Sequence, residues 1–171
     1  MRDSRHYLQL ALFLVAIPIA AAVLFRYDVL DFFRQGPGME LRVDLSERRL
    51  RVVENGKTVK TYAIAVGRPS NPTPTGRFRT GRIEWNPSWT PPNSPWARGM
   101  KPRQPGDPQN PMQGVKIYFR EPAYYIHGTN DPASIGQAAS RGCIRMTPDD
   151  ARELARMIER AGGSVPLIIS P

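Results

Sequence analysis

Asn55-Gly56 is the pair that most restricts what this chain can fold into. It stands between two apolar runs, residues 50–53 and 58–66. A two-residue turn between paired strands needs φ > 0 at both central positions, and Asn-Gly tolerates this best. The spacing predicts a β-hairpin. Residues 40–45 alternate just before it, with Leu41, Val43 and Leu45 on one side, as in a half-buried strand. Residues 77–85, 115–119, 123–126 and 165–169 read as further strands. Within residues 39–171 one segment alone is helical in character; a membrane helix is expected ahead of it, near the N-terminus. Thr147 stands as N-cap, Pro148 takes the first helical position, and Asp149 and Asp150 face the positive end of the dipole. Ala151, Leu154, Ala155 and Ile158 follow i, i+3, i+4, i+7, and Gly162-Gly163 ends the run. The expectation is a mostly β domain with one principal helix.

Residues 70–76 and 128–139 read as loops. Residues 86–114 differ from both: they hold eight prolines, Trp89 and Trp96, and almost no periodicity. A stretch this long without regular structure is functional or disordered in a compact domain, and the tryptophans argue against disorder. It is expected to be a lid or substrate wall, or else an Ω-like cover packed on the sheet.

The N-terminus speaks to the compartment. Residues 7–25 carry no charge and are rich in Leu, Ile, Ala, Val and Phe. At about 1.5 Å per residue they nearly match a hydrocarbon core of about 30 Å. The length favours an uncleaved membrane anchor over a signal peptide cut near Ala20-Ala21-Ala22. Residues 1–25 are therefore the anchor or signal segment, residues 26–38 a juxtamembrane linker, and residues 39–171 the folded domain. Either way the domain is exported to the cell envelope. The formal charge is +9, with arginine supplying 20 of the 24 basic side chains. This suits anionic envelope polymers or simply a solvated surface. The sequence has no nucleic-acid motif and no basic run of five, so nucleic acid is not expected as a partner.

Cys143 is the only cysteine, so no internal disulfide forms. His127 lies 16 positions upstream, and the only other histidine is His6. A thiol is mostly protonated at neutral pH and needs a base or a nearby positive charge to attack. His127 offers the base, and Arg141 and Arg145 the charges. Gly142 lets the backbone turn sharply, and the amides of Gly142 and Cys143 could face an oxyanion. The imidazole needs an orienting acceptor; the nearest carboxylate is Asp131, and the Gly128 carbonyl is a substitute. Two ligands do not make a zinc site, so neither a metal nor a cofactor is expected. Alone, a Cys and a His are more readily structural than catalytic.

The surrounding residues carry more. His127-Gly128-Thr129 followed by Ser140-Arg141-Gly142-Cys143-Ile144-Arg145-Met146 resembles the signature of the L,D-transpeptidase (YkuD-type) catalytic domain. Residues 43–50, Val66-Gly67, Thr73-Pro74-Thr75-Gly76, Trp89-Thr90-Pro91-Pro92 and residues 165–169 fit its other landmarks. The resemblance spans about residues 39–169. Arg141 stands where a histidine is common, which leaves His127 as the base. The resemblance implies a β-sandwich or barrel-like domain acting on peptidoglycan stem peptides. Cys143 would attack an L-to-D peptide bond and pass the acyl group to an amine, with His127 moving the protons. Gly128, Ser140 and Gly142 would shape the site. Arg145 would hold a substrate carboxylate, or else pair with Asp149 or Asp150; Arg141 would tune the field rather than face the substrate, or else be a surface charge. A hydrolase on the same fold and an inactive wall-binding module are the competing readings.

Overall fold

The structure, a computed structural model, describes residues 38–171. The predicted membrane segment at residues 7–25 lies outside the described residues, as does all but the last residue of the predicted linker. Among the described residues no helix is long and apolar enough to cross a membrane.

The hairpin forms where the Asn-Gly pair predicts it. Met39–Asp44 (β1) leads into Arg49–Glu54 (β2), which pairs antiparallel with Lys57–Ala63 (β3) across Asn55 (φ 50°) and Gly56 (φ 77°). Val66–Gly67 forms a short strand, β4. Gly76–Arg79 (β5), Ile83–Trp85 (β6), Gln113–Arg120 (β7) and Tyr124–Gly128 (β8) follow. Ala138–Ser140 (β9), Ile144–Met146 (β10), the helix Pro148–Arg160 (α1) and Pro166–Ser170 (β11) complete the domain. One sheet runs β3-β2-β1-β11-β5, a second β10-β8-β7-β6, and β4 pairs with β9. Leu41, Val52, Ile117, Ile126, Ile144 and Leu167 from the two larger sheets meet in one core.

The helix closes that core. The Thr147 side chain accepts from Asp150 N–H, Pro148 needs no donor there, and Asp149 and Asp150 occupy the first turn. Ala151, Leu154, Ala155 and Ile158 are fully buried. Removing Leu154 and Ile158 from water stabilises the fold by about 1.5–3 kcal/mol each.

Two predicted strands are broken, each where the chain changes sheets. Residues 58–66 split because Ile64 and Ala65 leave β2. Ala65 N–H donates to Arg145 O at 2.9 Å, and Arg145 N–H returns the bond to Ala65 O at 2.9 Å. Residues 77–85 split at a corner. Thr80 N–H bonds Val165 O in the first sheet, while Gly81 N–H bonds Tyr118 O in the second. The predicted loop at residues 128–139 contains a 3-10 turn at Pro132–Ser134 and the start of β9.

The Pro-rich stretch is ordered without a sheet of its own. Trp89 and Arg103 form a two-way backbone bridge, and Pro95–Ala97 makes one 3-10 turn. Asn110, almost fully buried, donates to Pro87 O at 2.8 Å and Gln104 O at 3.2 Å and accepts from Met112 N–H at 2.8 Å. Gln113 Nε2 donates to Asp107 O at 2.8 Å and Asn110 O at 2.7 Å, so two amide side chains stand in for the missing strand ladder.

Candidate active site

A parallel strand pairing closes the gap of 16 residues between His127 and Cys143. β10 runs beside β8 with Ile144 opposite Ile126 and Arg145 opposite His127. Side chains alternate between faces along each strand. Ile126, Ile144 and Met146 point into the core and are fully buried. Tyr125, His127 and Arg145 take the opposite face, and Cys143, just before β10, joins them. β7 extends the lattice, with Lys116 opposite His127 and Tyr118 opposite Tyr125, and Glu84 of β6 stands opposite Lys116. One row therefore reads Glu84, Lys116, His127, Arg145 across four strands.

Two glycines make this approach feasible. A Cβ on Gly128 would overlap the Gln113 carbonyl oxygen and come within 2.9 Å of Pro148 Cα. Gly142 has φ 109°, a conformation side chains avoid, and a Cβ there would lie 2.8 Å from Tyr124 Cε1. Ser140, almost fully buried, ties the turn: its Oγ donates to Cys143 O at 2.6 Å and accepts from Gly142 N–H at 3.0 Å. The Gly142 amide is thereby engaged within the turn.

His127 Nδ1 lies 2.9 Å from the Gly128 carbonyl oxygen. A carbonyl can only accept, so Nδ1 carries the hydrogen and Nε2 presents the lone pair. The backbone thus takes the place of an orienting carboxylate. Asp131 instead meets Arg145, at 3.7 Å from Nη1, and Ser134 Oγ lies 3.4 Å from the same atom. Arg145 is therefore not paired with Asp149 or Asp150: Asp149 bonds Arg152 at 2.8 Å. Arg141 stacks its guanidinium 3.8 Å from the centre of the Trp96 ring.

The half-buried Cys143 thiol donates to Ala123 O at 3.5 Å. Thiol and imidazole are each engaged with a backbone carbonyl. Burial pushes the thiol up to about 11, against the Tyr125 amide and the positive fields of Arg145 and Lys116. Burial likewise pushes His127 down to about 4; Arg145 and Lys116 add to this, while the Gly128 and Pro111 carbonyls oppose it. At neutral pH the pair is therefore thiol and neutral imidazole. The second cation on the sulfur is Lys116, which sequence reasoning missed, and not Arg141. Lys116 is held 3.2 Å from Glu84 and lies 5.1 Å from the Tyr125 ring centre. Its signal in the sequence was a lone lysine inside the apolar run of β7, whose partner only the register reveals.

His127, Ser140, Arg141, Cys143 and Arg145 all line one open groove of about 1190 Å³. Trp89, Trp96, Met100, Lys101, Arg103 and Met112 of the Pro-rich stretch form its facing wall. No Asp or Glu is among the described residues that line it. No cluster of three or more His, Cys, Asp or Glu among the described residues is placed to hold a metal ion.

A strand-end imidazole and a thiol on one sheet face, opening on a groove, define a Cys–His site on a mixed β fold. Residues 39–167 match the L,D-transpeptidase catalytic domain, YkuD, and the chain belongs to that family. A relative from Bacillus licheniformis, YkuD, named as a candidate L,D-transpeptidase, is 38% identical over 118 residues, 69% of this chain and 59% of its own length. The chain thus spans about three-fifths of that relative. Among solved structures, an L,D-transpeptidase from Mycobacterium smegmatis superposes with a TM-score of 0.65 at 20% identity, over 80% of this chain and 60% of the other. The catalytic domain of the Enterococcus faecium L,D-transpeptidase does so with a TM-score of 0.58 at 22% identity, over 77% and 96%. These two likenesses support the fold.

Proposed function

We propose that the protein is a peptidoglycan L,D-transpeptidase with Cys143 as nucleophile and His127 as general base. The observation that carries this reading is the common sheet face of Cys143 and His127, opening on a groove lined by four Lys and Arg side chains. Cys143 Sγ forms a bond to the carbonyl carbon of an L-to-D peptide bond as the thiol proton passes to His127 Nε2. Collapse of the tetrahedral intermediate breaks the C–N bond, and His127 returns the proton to the departing D-residue amine. A second amine then attacks the thioester and gives a proton to His127; the C–S bond breaks as the acyl group leaves on that amine, and His127 passes the proton to Sγ, restoring the thiol. Gly128 orients the imidazole, and Ser140 and Gly142 fix the turn that carries the sulfur. Arg145 and Arg141 are the substrate-facing cations beside it. The reading needs no cofactor.

The substrate lies outside the cytoplasm, and residues 7–25 supply an export signal or anchor, so the catalytic domain works in the cell envelope beside the membrane. The basic surface suits anionic envelope polymers there. Muropeptide analysis of purified sacculi incubated with the protein tests the reaction. New crosslinked dimers are expected. Shortened monomers alone would assign a carboxypeptidase on the same fold. A product profile unchanged by Cys143→Ala would leave only a wall-binding module.

A further inference from the structure

The groove carries an excess of positive charge that its own acids do not neutralise. Four cations line it: Lys101, Arg103, Arg141 and Arg145. Two are satisfied within the fold. Arg103 meets Asp107 at 3.4 Å and Arg145 meets Asp131 at 3.7 Å. Lys101 and Arg141 have no acidic partner among the described residues. Arg141 is exposed, two positions before the sulfur, and is held by the 3.8 Å stack on Trp96. A stacked guanidinium keeps its in-plane N–H donors available, and those donors match a carboxylate in bidentate fashion. Burial, and then Arg68 and Arg145, weigh against its charge, so an incoming anion relieves an existing repulsion.

We propose that Arg141, with Lys101 across the groove, forms a carboxylate-recognition site for the acyl donor, with Trp96 as its positioning residue. This rests on the acyl-transfer reading above. The donor's last residue ends in a carboxylate one residue beyond the scissile carbonyl, and Arg141 is two residues from the attacking sulfur. The enzyme then selects donors that are charged next to the cleaved bond over their amides.

The test uses the full chain and synthetic stem peptides whose last bond runs from an L- to a D-residue. One donor carries all its carboxylates, one is a C-terminal carboxamide, and one is amidated at its side-chain carboxylate. Thioester formation is followed by intact mass. Amidating the recognised carboxylate should slow wild-type acylation by about tenfold or more, the scale of a lost charge-assisted hydrogen bond. Whichever amide produces the loss identifies which carboxylate is read. Arg141→Gln should close that gap, and Lys101→Gln should narrow it. Trp96→Leu should narrow it while Trp96→Phe preserves it, a pattern that general loosening of the wall would not give. Equal wild-type rates on all three donors would overturn the proposal and leave the reaction standing. An undiminished gap in Arg141→Gln would overturn the assignment to Arg141. Failure to acylate from any donor would remove the reaction reading, and this proposal with it.

Discussion

The two walls of the groove are built by different means. The wall bearing Cys143 and His127 is a sheet, with β10, β8 and β7 in backbone register and Ser140 tying the turn at its edge. The facing wall, residues 86–112, is irregular and is held by the Asn110 and Gln113 amides, one backbone bridge and the Arg141–Trp96 stack. Cys143 and His127 stand on the part of the fold with the fewest soft torsions. The aromatic lining, Trp89 and Trp96, and two of the four cations, Lys101 and Arg103, stand on the part with the most. A backbone lattice can hold two side chains in register without any direct bond between them. A loop can change its contact surface without disturbing that lattice.

This contrast can be broken at several points. The largest effect is expected on the sheet side: His127→Ala should slow acylation about a thousandfold with the fold retained, as loss of a general base does. Equal activity in that variant, measured by intact mass against time, would detach the imidazole from the chemistry. Next comes pH. Burial holds the folded-state value of His127 at about 4, against an ordinary 6.5. Below 6.5 the unfolded chain takes up a proton that the native chain refuses. Stability is therefore complete above 6.5 and falls as the pH drops to about 4. Chemical denaturation should show wild type losing about 3 kcal/mol more than His127→Gln between pH 7 and pH 4. A smaller effect is expected on the loop side. Asn110→Ala strands buried backbone groups and should cost about 2 kcal/mol. It should raise KM more than it lowers kcat, since the wall loosens while the lattice stays. A kcat loss as large as that of His127→Ala would mean that the two walls are not separable.

Where local chemistry decides structure, the sequence was readable. Asn55-Gly56 set the hairpin, Thr147-Pro148 set the helix start, and the single Cys143 with His127 pointed to the groove that both residues line. Registers were not readable, because they depend on which distant strands meet. Nothing local marks Thr80-Gly81 as a corner: residues 77–85 are continuous in pattern, and the break arises from Val165 bonding one side and Tyr118 the other. Lys116 looked like an ordinary alternating lysine until β7 was aligned with β8. The Pro-rich wall was legible as ordered through its tryptophans. Its bonds were not, because a buried Asn110 is silent in a sequence until its three partners are brought to it. Arg141 and Arg145 were recognised as important charges, but their true neighbours, Trp96 and Asp131, lie 45 and 14 residues away.

The central claim is that Cys143 becomes acylated, and peptide mass mapping after incubation with an L-to-D stem-peptide donor at neutral pH tests it most directly. The fragment containing Cys143 should gain the mass of the donor minus its terminal D-residue and minus the thiol hydrogen, and Cys143→Ala should gain none. Release of the D-residue by Cys143→Ala at the wild-type rate, or an adduct on any other side chain, would contradict it.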